Sequence, residues 1–282
     1  MAQTLTEIKA LLASRGLRPK HKFGQNFLHD GNHMGRIMEA AALAPGDVVL
    51  EVGPGTGALS ERLLEAGAEV VAVEIDPELE PILRERTAGD TTASRFALIV
   101  DDVLAGKHEL NPAVLRALAL RSSAGFKLIA NLPYNVASPL LINLAKLAAP
   151  IRMTHAVVML QKEVAQRIVA TPGGKDYGPL GILLQALYET QLVGTLSPGC
   201  FWPAPKVASA VVALKRRPTP VTSDFEAFAE LTHRLFAARR KQLGAILGPQ
   251  AALPPGVQPK QRPETLSVSH IAELLRANPT PP

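Results

Sequence analysis

The spacing of apolar and polar positions changes period repeatedly along the chain. Leu5, Ile8, Leu11 and Leu12 recur at helical spacing and predict a short amphipathic helix over 4–15. A basic, glycine-containing loop follows from Arg18 to Asn26. Residues 30–43 read as a helix with Asp30 at its N-cap. From there strands and helices alternate. Val48-Val49-Leu50-Glu51-Val52 reads as a buried strand that enters a glycine-rich turn. Helix 58–66, strand 69–75, helix 77–86 and a strand near 96–100 come next. After a long connection the pattern predicts strand 126–130, helix 138–148, strand 155–160 and helix 161–170. Strand-like runs at 190–196 and 208–214 complete the set. Such alternation predicts an α/β fold with a parallel, doubly wound sheet. Beyond Lys215-Arg216-Arg217, Pro218 and Pro220 mark a linker. Residues 224–247 and 268–276 read as helices with a proline-rich break between them, and 277–282 as a frayed end. The expected division is an α/β domain over 1–217 with a basic N-terminal extension, and a small all-α domain over 218–282.

With 282 residues, 47% of them apolar, the chain can bury a sizeable core. The single cysteine, Cys200, excludes an intrachain disulfide framework and a multi-cysteine zinc site. The chain starts without a signal-peptide stretch and has no apolar run long enough to span a bilayer, which predicts a cytoplasmic protein with no membrane partner. The net charge of +5 is unevenly placed. Residues 1–36 carry six Lys/Arg against two Asp/Glu, residues 37–214 fourteen against eighteen, and residues 215–282 ten against five. A basic head and tail around a slightly acidic middle suit a polyanion binder, and equally suit two solvated ends.

Glu51-Val52-Gly53-Pro54-Gly55-Thr56-Gly57 follows a strand and opens a helix. Glycine there lets backbone approach a ligand, and the helix start favours negative groups. Glu74, in Val73-Glu74-Ile75-Asp76, ends the next strand about 20 residues on, where an acid can accept from both hydroxyls of a ribose. A nucleoside-containing cofactor at the strand C-termini is the reading. Its identity stays open here, because Gly53, Gly55 and Ala58 also satisfy a dinucleotide fingerprint. No Gly-Lys-Ser/Thr follows, which excludes a Walker loop.

Asn131-Leu132-Pro133-Tyr134 falls at the end of the predicted strand 126–130. Adenine's 6-amino lone pair is delocalised into its ring and is a poor nucleophile. The Asn131 side-chain carbonyl and a backbone carbonyl near Leu132 or Pro133 can accept its two N–H bonds and favour a pyramidal nitrogen. Pro133 fixes the backbone and adds no competing donor. Tyr134 offers a ring for an extruded base to stack on. No protein nucleophile is required, so catalysis would be positioning and electrostatics.

In order along the chain stand Phe23-Gly24-Gln25-Asn26-Phe27-Leu28, Glu51-Val52-Gly53-Pro54-Gly55, Glu74-Ile75-Asp76, Asn131-Leu132-Pro133-Tyr134-Asn135, Leu160-Gln161-Lys162-Glu163-Val164, Pro205-Lys206-Val207 and Arg239-Arg240-Lys241. This ordered set resembles the ribosomal RNA adenine dimethylases, in particular their bacterial small-subunit branch. The resemblance implies a Rossmann-like methyltransferase sheet and S-adenosylmethionine as cofactor. It implies dimethylation of the 6-amino group of two neighbouring adenosines near the 3′ end of 16S rRNA, in ribosome biogenesis. The implied partner is small-subunit rRNA or the 30S particle, with the enzyme a monomer that holds no metal. It further implies that Asn26, Leu28, Gly53, Glu74, Asp102 and Asn131 contact the cofactor, with Asp101 an equivalent candidate to Asp102. Asn131 would also hold the target amine, Tyr134 and Phe201 would sandwich the target base, and Arg239, Arg240 and Lys241 would grip RNA. Phe201 can equally be core beside Trp202. The chain departs from the family at Ala208, where an acid is usual, and at Gln242-Leu243-Gly244-Ala245, where further polar or basic residues are common. These departures bear on RNA docking.

Other constellations are weaker. His29 and His33 have a metal-like spacing but show no third ligand in the sequence, and read as a solvated helix end. Gln161-Lys162-Glu163 suits either a cleft lining or an ordinary helix start. The alternatives are a large-subunit rRNA dimethylase of the macrolide-resistance type, a non-catalytic rRNA-binding assembly factor on the same fold, and a nicotinamide dehydrogenase.

Overall fold

The computed structural model describes residues 3–89, 92–106 and 109–278, so the proline-rich end from 279 on lies outside the described residues. Two compact units are present. One comprises the residues up to Ala165 together with Gln191–Leu214, the other Gln166–Thr190 together with the residues from Lys215 on. Residues 166–190, assigned to the first domain by sequence pattern, therefore group with the C-terminal helices.

Helix α1 (Leu5–Ala13) starts from a capping box in which Thr4 and Glu7 satisfy each other's backbone N–H groups. The chain then runs through β1 (Phe27–Leu28) into α2 (Gly31–Ala41), where the Asp30 carboxylate accepts from the His33 N–H. Next come β2 (Val48–Val52), α3 (Ala58–Glu65), β3 (Glu69–Glu74), α4 (Glu80–Arg86), β4 (Phe96–Val100), α5 (Pro112–Arg121), β5 (Phe126–Asn131), α6 (Ala137–Ala145) and β6 (Met153–Gln161). Helices α7 (Lys162–Val169) and α8 (Pro179–Leu187) precede β7 (Tyr188–Leu196), β8 (Phe201–Trp202) and β9 (Ser209–Arg216). The last helices are α9 (Phe225–Ala237), α10 (Leu243–Leu247) and α11 (Val268–Ala277).

Seven strands form one sheet in the order β4-β3-β2-β5-β6-β9-β7, and β4 through β6 are parallel. The expected doubly wound α/β architecture is thus present. Central parallel strands are covered on both faces, which is why all five residues of β2 are buried and read as an apolar run. A separate antiparallel ribbon pairs β1 with β8, setting Phe27 against Trp202 and Leu28 against Phe201. Among the described residues no helix is long and apolar enough to cross a membrane.

Several expectations needed correction. The long connection after β4 contains α5, started by an Asn111 side chain that accepts from Ala113 N–H and by Pro112 in its first turn. Helix α8 was hidden because its apolar run has no helical stripe. The single helix expected over 224–247 is two. The Leu243 and Gly244 N–H groups turn outward to the Gln261 and Pro259 carbonyls at 2.8 Å each, so the first helix does not run on and α10 begins anew. Gly244 is part of this device: a Cβ there would lie 3.2 Å from Pro259 Cβ.

In the second unit the Tyr177 hydroxyl donates to the Leu266 carbonyl at 2.9 Å, and its ring meets Phe236 edge-on. Gly181 brings α8 so close that a Cβ would sit 2.2 Å from the Arg167 carbonyl oxygen. Gly181→Ala is therefore expected to destabilise the protein by about 1–3 kcal/mol, as overpacking typically does. An unchanged thermal midpoint would show that α8 does not pack this closely against Arg167.

Candidate active site

Strand order reverses between β2 and β5, so a crevice opens at their C-terminal ends. The cavity there is lined by the Gly53–Gly55 turn, Glu74, Asp101, Asp102 and Asn131 to Tyr134, with Asn26 and Leu28 from the N-terminal segment. Gly53 and Gly55 have φ of +70° and +61°, the left-handed region that favours glycine. A Cβ at Gly55 would also press on the Phe27 ring at 3.0 Å.

Glu74 is only 3% exposed. Its two carboxylate oxygens accept from the Gly55 N–H at 3.1 Å and the Asp76 N–H at 2.9 Å. Burial raises its carboxyl above the ordinary range despite these bonds. Glu74 lines the cavity, and a carboxylate oxygen accepts more than one hydrogen bond, which suits two ribose hydroxyls. Glu51 is buried beside it and takes a hydrogen bond from the Ser60 hydroxyl at 2.6 Å. Burial, reinforced by the neighbouring Glu74 charge, pushes Glu51 up to about 8. Glu51 was not singled out from sequence, although a charged residue inside an apolar strand was the available signal.

Asp76 ties the basic loop to the strand edge. It accepts from Lys20 Nζ at 2.7 Å and Gln25 Nε2 at 2.8 Å. Burial works to raise its carboxyl, but these bonds prevail and hold it below the ordinary range. The loop continues to Asn26, whose backbone carbonyl accepts from Asn131 Nδ2 at 3.0 Å. That bond identifies the Asn131 nitrogen and leaves its Oδ1 as the acceptor facing a ligand. The Pro133 carbonyl already accepts from the Val136 N–H at 3.2 Å, which favours the Leu132 carbonyl as the backbone acceptor beside Asn131.

The two neighbouring aspartates also separate. Asp101 takes Asp102 N–H on one oxygen and Asn111 Nδ2 on the other, at 2.8 Å each. Asp102 takes only Leu104 N–H, at 2.9 Å on Oδ1, and keeps Oδ2 for a ligand. Tyr134 is anchored through its hydroxyl, 2.7 Å from the buried Ser209 hydroxyl, a partner the sequence reading missed. Phe201 is not among the residues lining the cavity. Pairing of β8 with β1 turns it inward, where it is 3% exposed in the apolar core with Leu28, Met34 and Cys200.

Arg239, Arg240 and Lys241 occupy the turn between α9 and α10. Arg239 is engaged by Glu264, at 2.9 Å from Nε and 2.8 Å from Nη2, while Arg240 and Lys241 are exposed. The His29–His33 pair does not form a common donor set. His33 Nδ1 lies 2.9 Å from Asp30 instead, and Cys200 Sγ approaches both. The third donor missing from the local sequence thus comes from a distant segment.

Fold and site together define a Rossmann-like protein with a cavity at the switch point of its sheet. The ribosomal RNA adenine dimethylase family model matches residues 16–274, and the chain belongs to that family. It is 39% identical to the ribosomal RNA small subunit methyltransferase A of Thermotoga maritima, over 93% of this chain and 86% of that one. Identity to the protein of the same name from Thermobifida fusca is 37%, over 98% and 96%. Among solved structures, a dimethyladenosine transferase from Plasmodium falciparum superposes with a TM-score of 0.72 at 23% identity, over 89% of this chain and 96% of that one. The 23S rRNA methyltransferase ErmE does so with a TM-score of 0.67 at 25% identity, over 89% and 99%.

The raised Glu51 has a measurable consequence. The folded chain holds this proton more tightly than the unfolded chain, so stability falls as pH rises from 4.5 to about 8. Glu51→Gln is neutral at every pH and can still accept from Ser60. Thermal midpoints of the ligand-free protein should decline less across this window in the variant than in the wild type. Parallel pH profiles would show that Glu51 titrates in the ordinary range.

Proposed function

We propose that this chain is an S-adenosylmethionine-dependent methyltransferase that dimethylates the 6-amino group of adenosines in small-subunit ribosomal RNA, two neighbouring ones near the 3′ end of 16S rRNA. The observation that carries the reading is the pair of acceptors at the end of β5. Asn131 Oδ1 is freed by the bond from Nδ2 to Asn26, and the Leu132 carbonyl stands beside it.

The residues fit the cofactor. Glu74 offers its carboxylate oxygens to ribose hydroxyls, and Asp102 Oδ2 is the acceptor for an adenine amine. The Gly53 turn leaves room for the methionine part, with Asn26 and Leu28 closing the cavity from the N-terminal side. When bound, S-adenosylmethionine supplies the electrophilic methyl group. Asn131 and Leu132 take the two N–H bonds of the target amine and direct its lone pair. Pro133 adds no backbone donor to compete. Tyr134, held by Ser209, presents its ring to the extruded base, a stacking contact worth roughly 1–3 kcal/mol. Phe201 supports β1 from the core rather than touching the base.

Support for the small-subunit substrate comes from the relatives named above, which share 37–39% identity across more than nine-tenths of the chain, against 25% for ErmE. The retained acceptors at Asn131 and Glu74 speak against a merely structural assembly factor. Exposed Arg240 and Lys241, together with Lys22 at the cavity rim, provide cations for RNA phosphates.

Incubating the protein with labelled cofactor and small subunits lacking the modification should yield dimethyladenosine on nucleoside analysis. Absence of any labelled adenosine would overturn the reading. Asn131→Ala should lower kcat by roughly 10²–10³ at saturating cofactor, the usual cost of one well-placed electrostatic partner, with RNA binding nearly unchanged. Near wild-type turnover would remove Asn131 from the mechanism but not the chain from its family.

The basic turn should divide according to which of its cations are already engaged. Charge reversal at Arg240 and Lys241 is expected to weaken binding to the ribosomal particle and to flatten its salt dependence, by about 0.7–0.9 for each phosphate no longer neutralised. Arg239→Ala should lower thermal stability through Glu264 and leave the salt slope intact. A salt slope that depends on Arg239 alone would reverse this assignment.

A further inference from the structure

Asp30, His33 and Cys200 meet where α2 begins and where the chain turns into β8. Among the described residues they are the group of three His, Cys, Asp or Glu donors whose ligand atoms all lie within 4.8 Å of one another. His33 Nδ1 lies 2.9 Å from Asp30 Oδ1. Cys200 Sγ lies 4.0 Å from Asp30 Oδ2 and 4.0 Å from His33 Nδ1. None of the three lines the cofactor cavity, and the proposed reaction uses none of them.

These separations are close to those of a zinc coordination shell. Bond lengths of about 2.3 Å to sulfur and about 2.0–2.2 Å to nitrogen and oxygen, set at tetrahedral angles, place the ligand atoms about 3.4–3.6 Å apart. The thiol distances, to Asp30 Oδ2 and His33 Nδ1, are longer than that and the Asp30 Oδ1–His33 Nδ1 distance is shorter, each by about half an ångström, so side-chain rotations must bring one carboxylate oxygen to both partners. The thiol's polar contacts, to Ser197 Oγ at 3.7 Å and to Asp30 and His33 at 4.0 Å, are weak hydrogen bonds, so no strong interaction of the sulfur has to be broken to reorient it. Sulfur, imidazole and carboxylate together select a borderline-soft divalent cation over calcium or magnesium, which take oxygen ligands.

The surroundings favour the same occupant. Asp30 Oδ1 is held by the His33 backbone N–H at 3.0 Å, while Oδ2 faces the Cys200 thiol. Cys200 is 9% exposed, while the His33 and Asp30 side chains are 21% and 31% exposed. One side of the group is therefore open for entry and for a water as fourth ligand. We propose that Asp30, His33 and Cys200 form a binding site for a single zinc-type divalent cation that clamps the start of α2 to the segment leading into β8. Binding displaces the Cys200 thiol proton to solvent; it also breaks the His33 Nδ1–Asp30 contact, the imidazole keeping its one proton on Nε2 and releasing any second proton to solvent, so that the Nδ1 lone pair is free for the cation. The clamp lies directly behind the β1–β8 ribbon, since the His29 N–H donates to the Cys200 carbonyl at 3.1 Å.

The test uses the full chain, stripped of metal and kept reduced, and titrated with Co²⁺ as the spectroscopic probe. One equivalent should produce thiolate-to-cobalt charge-transfer absorption and tetrahedral ligand-field bands. Cys200→Ser should abolish the charge-transfer band and weaken Zn²⁺ binding at least tenfold. His33→Gln keeps the Asp30 cap, because that bond comes from the backbone, and should also weaken binding at least tenfold. Zn²⁺ should raise the thermal midpoint of the wild type and not that of either variant. Circular dichroism of both variants checks folding, and a fold lost in one leaves the other to decide. Absence of the thiolate band at one equivalent of Co²⁺ would overturn the proposal. So would Zn²⁺ affinity unchanged in a folded variant, which would place the metal on surface histidines.

Discussion

The cavity depends on how the buried Glu74 carboxylate is satisfied. A carboxylate taken from water must recover its hydrogen bonds inside the protein, and Glu74 recovers two from backbone. One comes from the glycine turn after β2 and the other from the chain just after β3, so a single side chain sets the distance between two strand ends. The second donor, Asp76, passes the constraint on. Its carboxylate holds Lys20 and Gln25, the loop carrying them delivers the Asn26 carbonyl, and that carbonyl orients Asn131 at the end of β5. Glu74 and Asn131 are thereby joined through one network, although 57 positions separate them in sequence.

Two acids share this crevice in different environments. Glu74 has backbone donors on both oxygens, whereas Glu51 has the Ser60 hydroxyl and little else. Like charges at close range in a poorly hydrated site do not both ionise readily, and Glu51, the acid with fewer donors, is the one pushed up to about 8. On the proposed reading this division is useful. A cationic cofactor entering beside Glu51 would favour its ionised form, so binding and proton release would be linked there.

The parts legible in sequence were those written in local pattern. Strands β2, β3 and β5, the glycine turn and Glu74 follow from apolar runs ending in characteristic residues. Helix α8 was not legible, because a nearly unbroken apolar stretch has no period to separate a buried helix from a strand. The β1–β8 ribbon was hidden for the opposite reason: two residues per strand are too few to show alternation. Finer choices were beyond local pattern altogether. Asp101 and Asp102 are chemically identical neighbours, as are the Leu132 and Pro133 carbonyls. What separates them is which atoms already have partners, namely Asn111 for one and Val136 for the other. The same holds for Cys200, a lone thiol in the sequence that acquires two neighbours only through the fold.

The basic triplet carries this argument furthest. In sequence Arg239, Arg240 and Lys241 form one charged patch on one long helix, and a helix would have spread them around its circumference. The structure ends the helix at Ala237, where the Ala238, Arg239 and Lys241 N–H groups bond carbonyls three residues back, and the Leu243 and Gly244 N–H groups beyond the triplet are claimed by the 259–261 segment. Within the resulting turn Arg239 meets a carboxylate and its neighbours do not. An arginine already engaged by a glutamate must give up that partner before it can bind phosphate, so its net contribution to a polyanion complex is smaller than its charge suggests. Charge counted along a chain therefore overstates the charge available to RNA, and the correction is set by which cations the fold has already neutralised.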